Sequence, residues 1–199
     1  MRFRPARSAR RGFTLVEALV ATTILAVAGS ALLFGLTAAM DTTQDVVHRT
    51  IAAGLAQQLM DEVAGLPYAD KTGGPYESPL VSAVDATTGC RTACHDQADF
   101  HGTATSPPVD SWGVRLGDDD GAGGQRHANF RAPADYLARW KQSVSVRYAN
   151  PADLKQDLPD GQTSDYRSVA VVIGLTERSG QVRELARLRR VFAYVPPLP

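Results

Sequence analysis

Arg10-Arg11-Gly12-Phe13-Thr14-Leu15-Val16-Glu17 opens the stretch that decides the fold, and an apolar run continues it to Met40. Between Phe13 and Met40 the only charge is Glu17; the rest is Ala, Leu, Val, Ile, Phe, Met, Gly and a few hydroxyls. As a helix this run would be about 42 Å long at ~1.5 Å per residue, and ~20 apolar residues suffice to cross a bilayer. It can span. A carboxylate inside such a helix costs at least ~2.5–3.5 kcal/mol, so Glu17 calls for a functional reason.

The basic leader, Gly12, Phe13 and Thr14-Leu15-Val16-Glu17 resemble the N-terminal processing motif of type IV prepilins and type II secretion pseudopilins. The resemblance covers the leader and the start of the apolar run; the rest is similar only in layout. It implies that a membrane-embedded prepilin peptidase cuts between Gly12 and Phe13 and N-methylates the new terminus at Phe13. It also implies assembly with other pilin or pseudopilin subunits on an inner-membrane platform. Physical chemistry supports the role given to Glu17. The amine freed on Phe13 can reach the Glu17 carboxylate of a packed neighbour, where low dielectric strengthens attraction and makes an unpaired charge costly. The competing reading leaves Glu17 idle at the lipid–water interface. A rival processing route is a twin-arginine export signal, with Ala26-Val27-Ala28 as its cleavage site. Against it, the apolar core continues past that site through Leu32, Leu33, Phe34 and Leu36, and contains an acid.

Net charge is zero but unevenly spread. Residues 1–12 hold five arginines and no acid; without them, 16 basic residues stand against 21 acidic ones, a mature charge near −5. The cluster reads as a positive-inside anchor, with the N-terminus cytoplasmic and the globular part outside the inner membrane. No nucleic-acid partner is expected; the lipid bilayer is.

From Asp41 the chain turns amphipathic. Val47, Ile51, Leu55, Leu59, Val63 and Leu66 form one helical stripe, with polar residues between them, and Gly65 and Pro67 end the run. The spacing predicts one helix from Phe13 to Gly65: residues 13–40 for membrane and assembly, 41–66 amphipathic, the stripe packing on a sheet. The proline found midway along this helix in major pilins is missing; Gly29, Ser30 and Gly35 are soft spots only.

Residues 67–140 are punctuated by Gly and Pro and read as a long variable region with short elements. Cys90 and Cys94 are the only cysteines. In an oxidising compartment a local disulfide is the expectation. Free thiols are one alternative; zinc is another, though it needs four ligands and only His95, His101 and His127 are near. Asp118-Asp119-Asp120-Gly121 offers hard oxygens in a turn, as calcium requires. Major pseudopilins bind calcium in a broadly similar loop, which makes these acids candidate ligands. Against that, the EF-hand alternation is absent, and a solvated turn explains the same residues. Asp99-Phe100-His101-Gly102 reads as a turn with a buried aromatic.

The region 141–199 reads as an antiparallel sheet. Ser143 to Tyr148 alternates, Asn150-Pro151 breaks the strand, and a polar stretch runs to Asp165. Tyr166–Thr176 and the return strand from Val182 flank a hairpin at Ser179-Gly180. Arg183, Arg187 and Arg189 fall on alternating positions of that strand, a candidate lateral contact. The fold class is α+β and pilin-like: a long N-terminal helix, its first half transmembrane, packed on a C-terminal antiparallel sheet. Both cysteines lie too early for the C-terminal disulfide of many type IV pilins, and with no central proline the chain leans to a minor subunit. No paired carboxylates, triad or phosphate-binding glycine motif points to an enzyme. An anchored or exported binding protein is the alternative.

Overall fold

The computed structural model describes residues 14–70, 74–78, 80, 93–117, 119–133 and 135–196. Helix α1 spans Leu15–Ala64. Its start follows from Thr14, whose Oγ1 accepts the Glu17 backbone N–H at 3.3 Å. Thr-x-x-Glu is also the spacing of a capping box. Its end follows from Gly65, which still donates to the Asp61 carbonyl at 3.0 Å, and from Pro67, which has no N–H to continue the ladder.

The chain divides into two compact units, residues 1–47 and His48–Pro199. In the first, the described part of α1 is exposed almost throughout, with Leu19, Ile24, Leu25, Leu33 and Phe34 uncovered. Its hydroxyls are turned back onto the helix: Thr22 donates to the Leu19 carbonyl, Thr23 to Val20, Ser30 to Val27 and Thr37 to Phe34, all within 3.0 Å. Such internal satisfaction is what an apolar solvent demands of polar groups.

In the second unit the rest of α1 packs against a five-stranded antiparallel sheet. The strands are β1 (Ala104–Thr105), β2 (Trp140–Asn150), β3 (Asp153–Asp157), β4 (Tyr166–Thr176) and β5 (Val182–Ala193). Their order is β1-β2-β4-β5, and β3 pairs with the far end of β2. Trp140 faces Leu175, Val144 faces Val171 and Val146 faces Val169, so the alternation read in Ser143–Tyr148 is the alternation that fills the core.

The buried helix face is rotated from the expected stripe. Ala52, Ala56 and Met60 lie at its centre with Leu59 and Val63, while Ile51, Leu55 and Leu66 are only half-buried and Val47 is exposed. Spacing of four brings Ala52, Ala56 and Met60 onto one line. Leu59, Met60 and Val63 reach from this face into the core, and Ile51, Leu55 and Leu66 pack at its margin.

Two strands come from stretches that read as irregular. β3 is almost wholly exposed, so its side chains carry no alternation to read. β1 is two residues long. A third difference concerns the arginines of β5. Leu185 is an extra residue between the partners of Ile173 and Gly174, a bulge that buries its side chain in the core. The slip places Arg183 opposite Leu175, on the core side, while Arg187 and Arg189 face Val172 and Ala170 on the other. The three do not form one row. Arg187 pairs with Glu184 and Arg189 with Asp157, each at 2.7 Å, and Arg183 with Glu177 at 3.3 Å.

Candidate functional site

Cys94 is half-buried against the core, and Cys90 lies outside the described residues. The segment after Cys94 is tied to the end of α1. Asp96 accepts the Ala98 and Asp70 backbone N–H groups at 2.7 and 2.9 Å, and Gln97 N–H donates to the Pro67 carbonyl at 3.1 Å. Phe100 is buried in a 3-10 turn over Ala98–Phe100, as the sequence suggested.

Of the acidic run, Asp118 lies outside the described residues. Asp119 accepts the Gly121 N–H at 2.7 Å, and Asp120 accepts those of Ala122 and Gly124 at 2.8 and 2.9 Å. The two backbone donors hold the Asp120 carboxyl below its ordinary pKa. Among the described residues, no three His, Cys, Asp or Glu side chains are placed to share a metal ion.

Arg126 organises this loop. It donates to the Asp110 carboxylate at 2.7 Å and to the Asp119 and Arg115 carbonyls at 2.8 and 3.2 Å. Arg167 organises the sheet's other end. It is fully buried on the core face of β4, with its guanidinium 4.3 Å from the Tyr68 ring centre and 5.5 Å from that of Tyr148. It donates to the Tyr68 and Pro75 carbonyls, and Tyr148 Oη donates to Pro75 and Glu77 at 3.1 and 2.8 Å. Burial raises the Tyr68 pKa, which keeps that ring neutral beside the cation. The arrangement pins the segment that follows α1 onto the sheet by cation–π contact and carbonyl acceptors.

Gly12 and Phe13 lie just ahead of the first described residue, Thr14. Glu17 sits in the first turn of α1, exposed, where the positive end of the helix dipole favours a carboxylate. After it come the uncovered apolar residues of the first unit, the only described helix long and apolar enough to cross a membrane. A family model for the prokaryotic N-terminal methylation motif matches residues 7–33. The chain carries the prepilin methylation motif. No curated protein and no solved structure matches the chain. A prepilin-type motif on a long apolar helix implies anchoring by that single helix, processing by a prepilin peptidase and assembly with other pilin subunits. The families that carry it are structural. The long helix on an antiparallel sheet is a pilin-like α+β arrangement.

Beyond the motif, sequence reading missed three groups. The Thr14 cap was legible in Thr-x-x-Glu. The Arg126 clamp and the Arg167–tyrosine contact had no local signal, because their partners lie far away in the chain.

Proposed function

We propose that this chain is a non-enzymatic minor subunit of a type IV pilus or a type II secretion pseudopilus. The observation that carries the proposal is the methylation motif running directly into α1, with Glu17 the sole charge of the helix up to Met40. Cleavage falls between Gly12 and Phe13, and Phe13 becomes the methylated terminus. The chain waits in the inner membrane with its leader cytoplasmic and its head outside, then enters the filament from the assembly platform through its N-terminal helix. There its Phe13 amine pairs with Glu17 of a neighbour, each charge supplying what the other would otherwise lack among apolar side chains.

The intact mass of the membrane-extracted protein tests this. The expected species lacks residues 1–12 and carries one added methyl. An uncut chain would instead mark a plain anchored protein, and a terminus at Gly29 an exported one; either result overturns the proposal.

A further inference from the structure

Asp is followed by Gly at two places, Asp120-Gly121 and Asp160-Gly161, and the fold treats the two in opposite ways. Asp120-Gly121 is tied down. Gly121 N–H donates to Asp119 Oδ1 at 2.7 Å, Asp120 Oδ1 accepts the Ala122 and Gly124 N–H groups at 2.8 and 2.9 Å, and Arg126 donates to the Asp119 carbonyl at 2.8 Å. Val114 fills the space beside Gly121, with a methyl 2.5 Å from where a Cβ would stand. Asp160-Gly161 lies between β3 and β4, in a turn closed by Gln162 N–H on the Pro159 carbonyl at 3.2 Å. The Asp160 side chain is 92% exposed and pairs with Arg147 at 3.0 Å, a surface contact of little worth. Among the described residues nothing accepts the Gly161 N–H. No atom beyond its chain neighbours lies within 4 Å of where a Gly161 Cβ would stand, and both residues border a cleft of about 170 Å³.

We infer that Asp160-Gly161 is a self-modification site, at which the folded protein accumulates isoaspartate while Asp120-Gly121 is protected. The Gly161 nitrogen attacks the Asp160 side-chain carbon Cγ; its proton and the carboxyl hydroxyl leave as water, and a succinimide ring closes. Water then opens the ring at either carbonyl. Attack at Cγ breaks the new C–N bond and restores Asp. Attack at the main-chain carbonyl breaks the original peptide bond, and the chain now runs through Cγ. Nothing is oxidised or reduced, and the composition is unchanged. The ring needs a free nitrogen, room around it and a backbone that can turn, and glycine with an open flank supplies all three. A turn held by one hydrogen bond opens at little cost, whereas the loop around Asp120 must first give up several. The neutral carboxyl is the form that loses its oxygen as water, and the N–H groups on Asp120 favour the carboxylate. Isoaspartate at 160 adds a methylene to the main chain between β3 and β4 and removes the side chain that pairs with Arg147. The chemistry needs only water, so the inference stands apart from the filament reading.

The test is peptide mapping of the full chain, aged in detergent in mildly acidic water carrying heavy oxygen and then digested in ordinary water. Trypsin releases Asp160 in the peptide Gln156–Arg167 and Asp120 in Leu116–Arg126. Each ring opening adds one heavy oxygen, and the isoaspartyl peptide elutes apart from its parent. In the folded protein the Asp160 peptide is expected to convert at least about tenfold faster than the Asp120 peptide. In urea, where each site is an Asp-Gly pair in an open chain, the two rates are expected to agree within about threefold. Asp160→Glu is expected to abolish the new species, because its ring would be larger, while keeping a carboxylate for Arg147. Equal rates in the folded protein, a difference that persists in urea, or a species that survives Asp160→Glu overturns the inference.

Discussion

Residues 18–40 and residues 48–64 belong to one helix and meet opposite environments. The earlier stretch holds Leu19, Ile24, Leu25, Leu33 and Phe34, all exposed, whereas the later one buries Ala52, Ala56, Leu59, Met60 and Val63. The greasier half is thus the uncovered half. Burial within one chain depends on whether other elements fold back onto a helix, as the sheet does onto the later stretch. Apolar surface on this scale in the earlier stretch marks a lipid or protein partner.

That contrast can be broken at several points. The largest effect is expected for Glu17→Leu: the leader is still removed, yet the protein disappears from sheared surface fibres. Retention there at parental level would remove any assembly role from the carboxylate. Next comes the head's own core. Arg167→Ala is expected to destabilise the head by roughly 3–4 kcal/mol, since it opens a cavity and strands the Tyr68 carbonyl; urea unfolding of the full chain in detergent measures this. Ala56→Leu is expected to cost about 1–3 kcal/mol by overpacking the helix–sheet contact. Leu25→Ala, in the earlier half, is expected to leave the same unfolding curve unmoved. If the two substitutions behave alike, the contrast between the halves is wrong.

A smaller effect concerns acid. Burial alone would raise the Asp157 pKa, but hydrogen bonds from Ser168 and Arg189, with the guanidinium charge, hold it below its ordinary value. The unfolded chain therefore binds this proton more readily. The contribution is fully present above the unfolded value of about 3.9 and fades as pH falls through the lower folded one. Asp157→Asn is expected to flatten the acid limb of a stability–pH profile below about pH 4. The smallest response is expected from calcium. Among the described residues no three acids gather to hold a metal ion, so calcium or a chelator is expected not to move the unfolding temperature; a clear shift would make Asp118, Asp119 and Asp120 ligands.

What could be read from sequence was what short-range chemistry settles. The absence of charge between Glu17 and Met40 and the Gly65-Leu66-Pro67 stop bound α1, while Val-rich alternation and Ser179-Gly180 placed β2, β4 and the hairpin. Where side chains give no pattern, reading failed: β3 exposes nearly all its residues, and the Leu185 bulge is set by its partner strand. The stripe packs on the core as its spacing suggests through Leu59 and Val63, but its centre is shifted onto Ala52, Ala56 and Met60, small or flexible residues that apolar spacing read on Leu and Ile passes over. Arg167 was invisible for another reason: its aromatic partner Tyr68 lies almost a hundred residues earlier in the chain. The methylation motif is the reverse case, legible in residues 7–33 although Gly12 and Phe13 are outside the described structure.

Among the described residues, β5 pairs with β4 alone, so its other side is a twelve-residue border. Its side chains include Arg183, Arg187, Arg189 and Arg190, each paired with a carboxylate, of Glu177, Glu184, Asp157 and Asp61. A second sheet adding to this border would have to accommodate four charged pairs, and a border rich in charge is a common safeguard against amyloid-like stacking. Fibres containing this protein should accordingly fall apart in mild detergent and leave thioflavin dark.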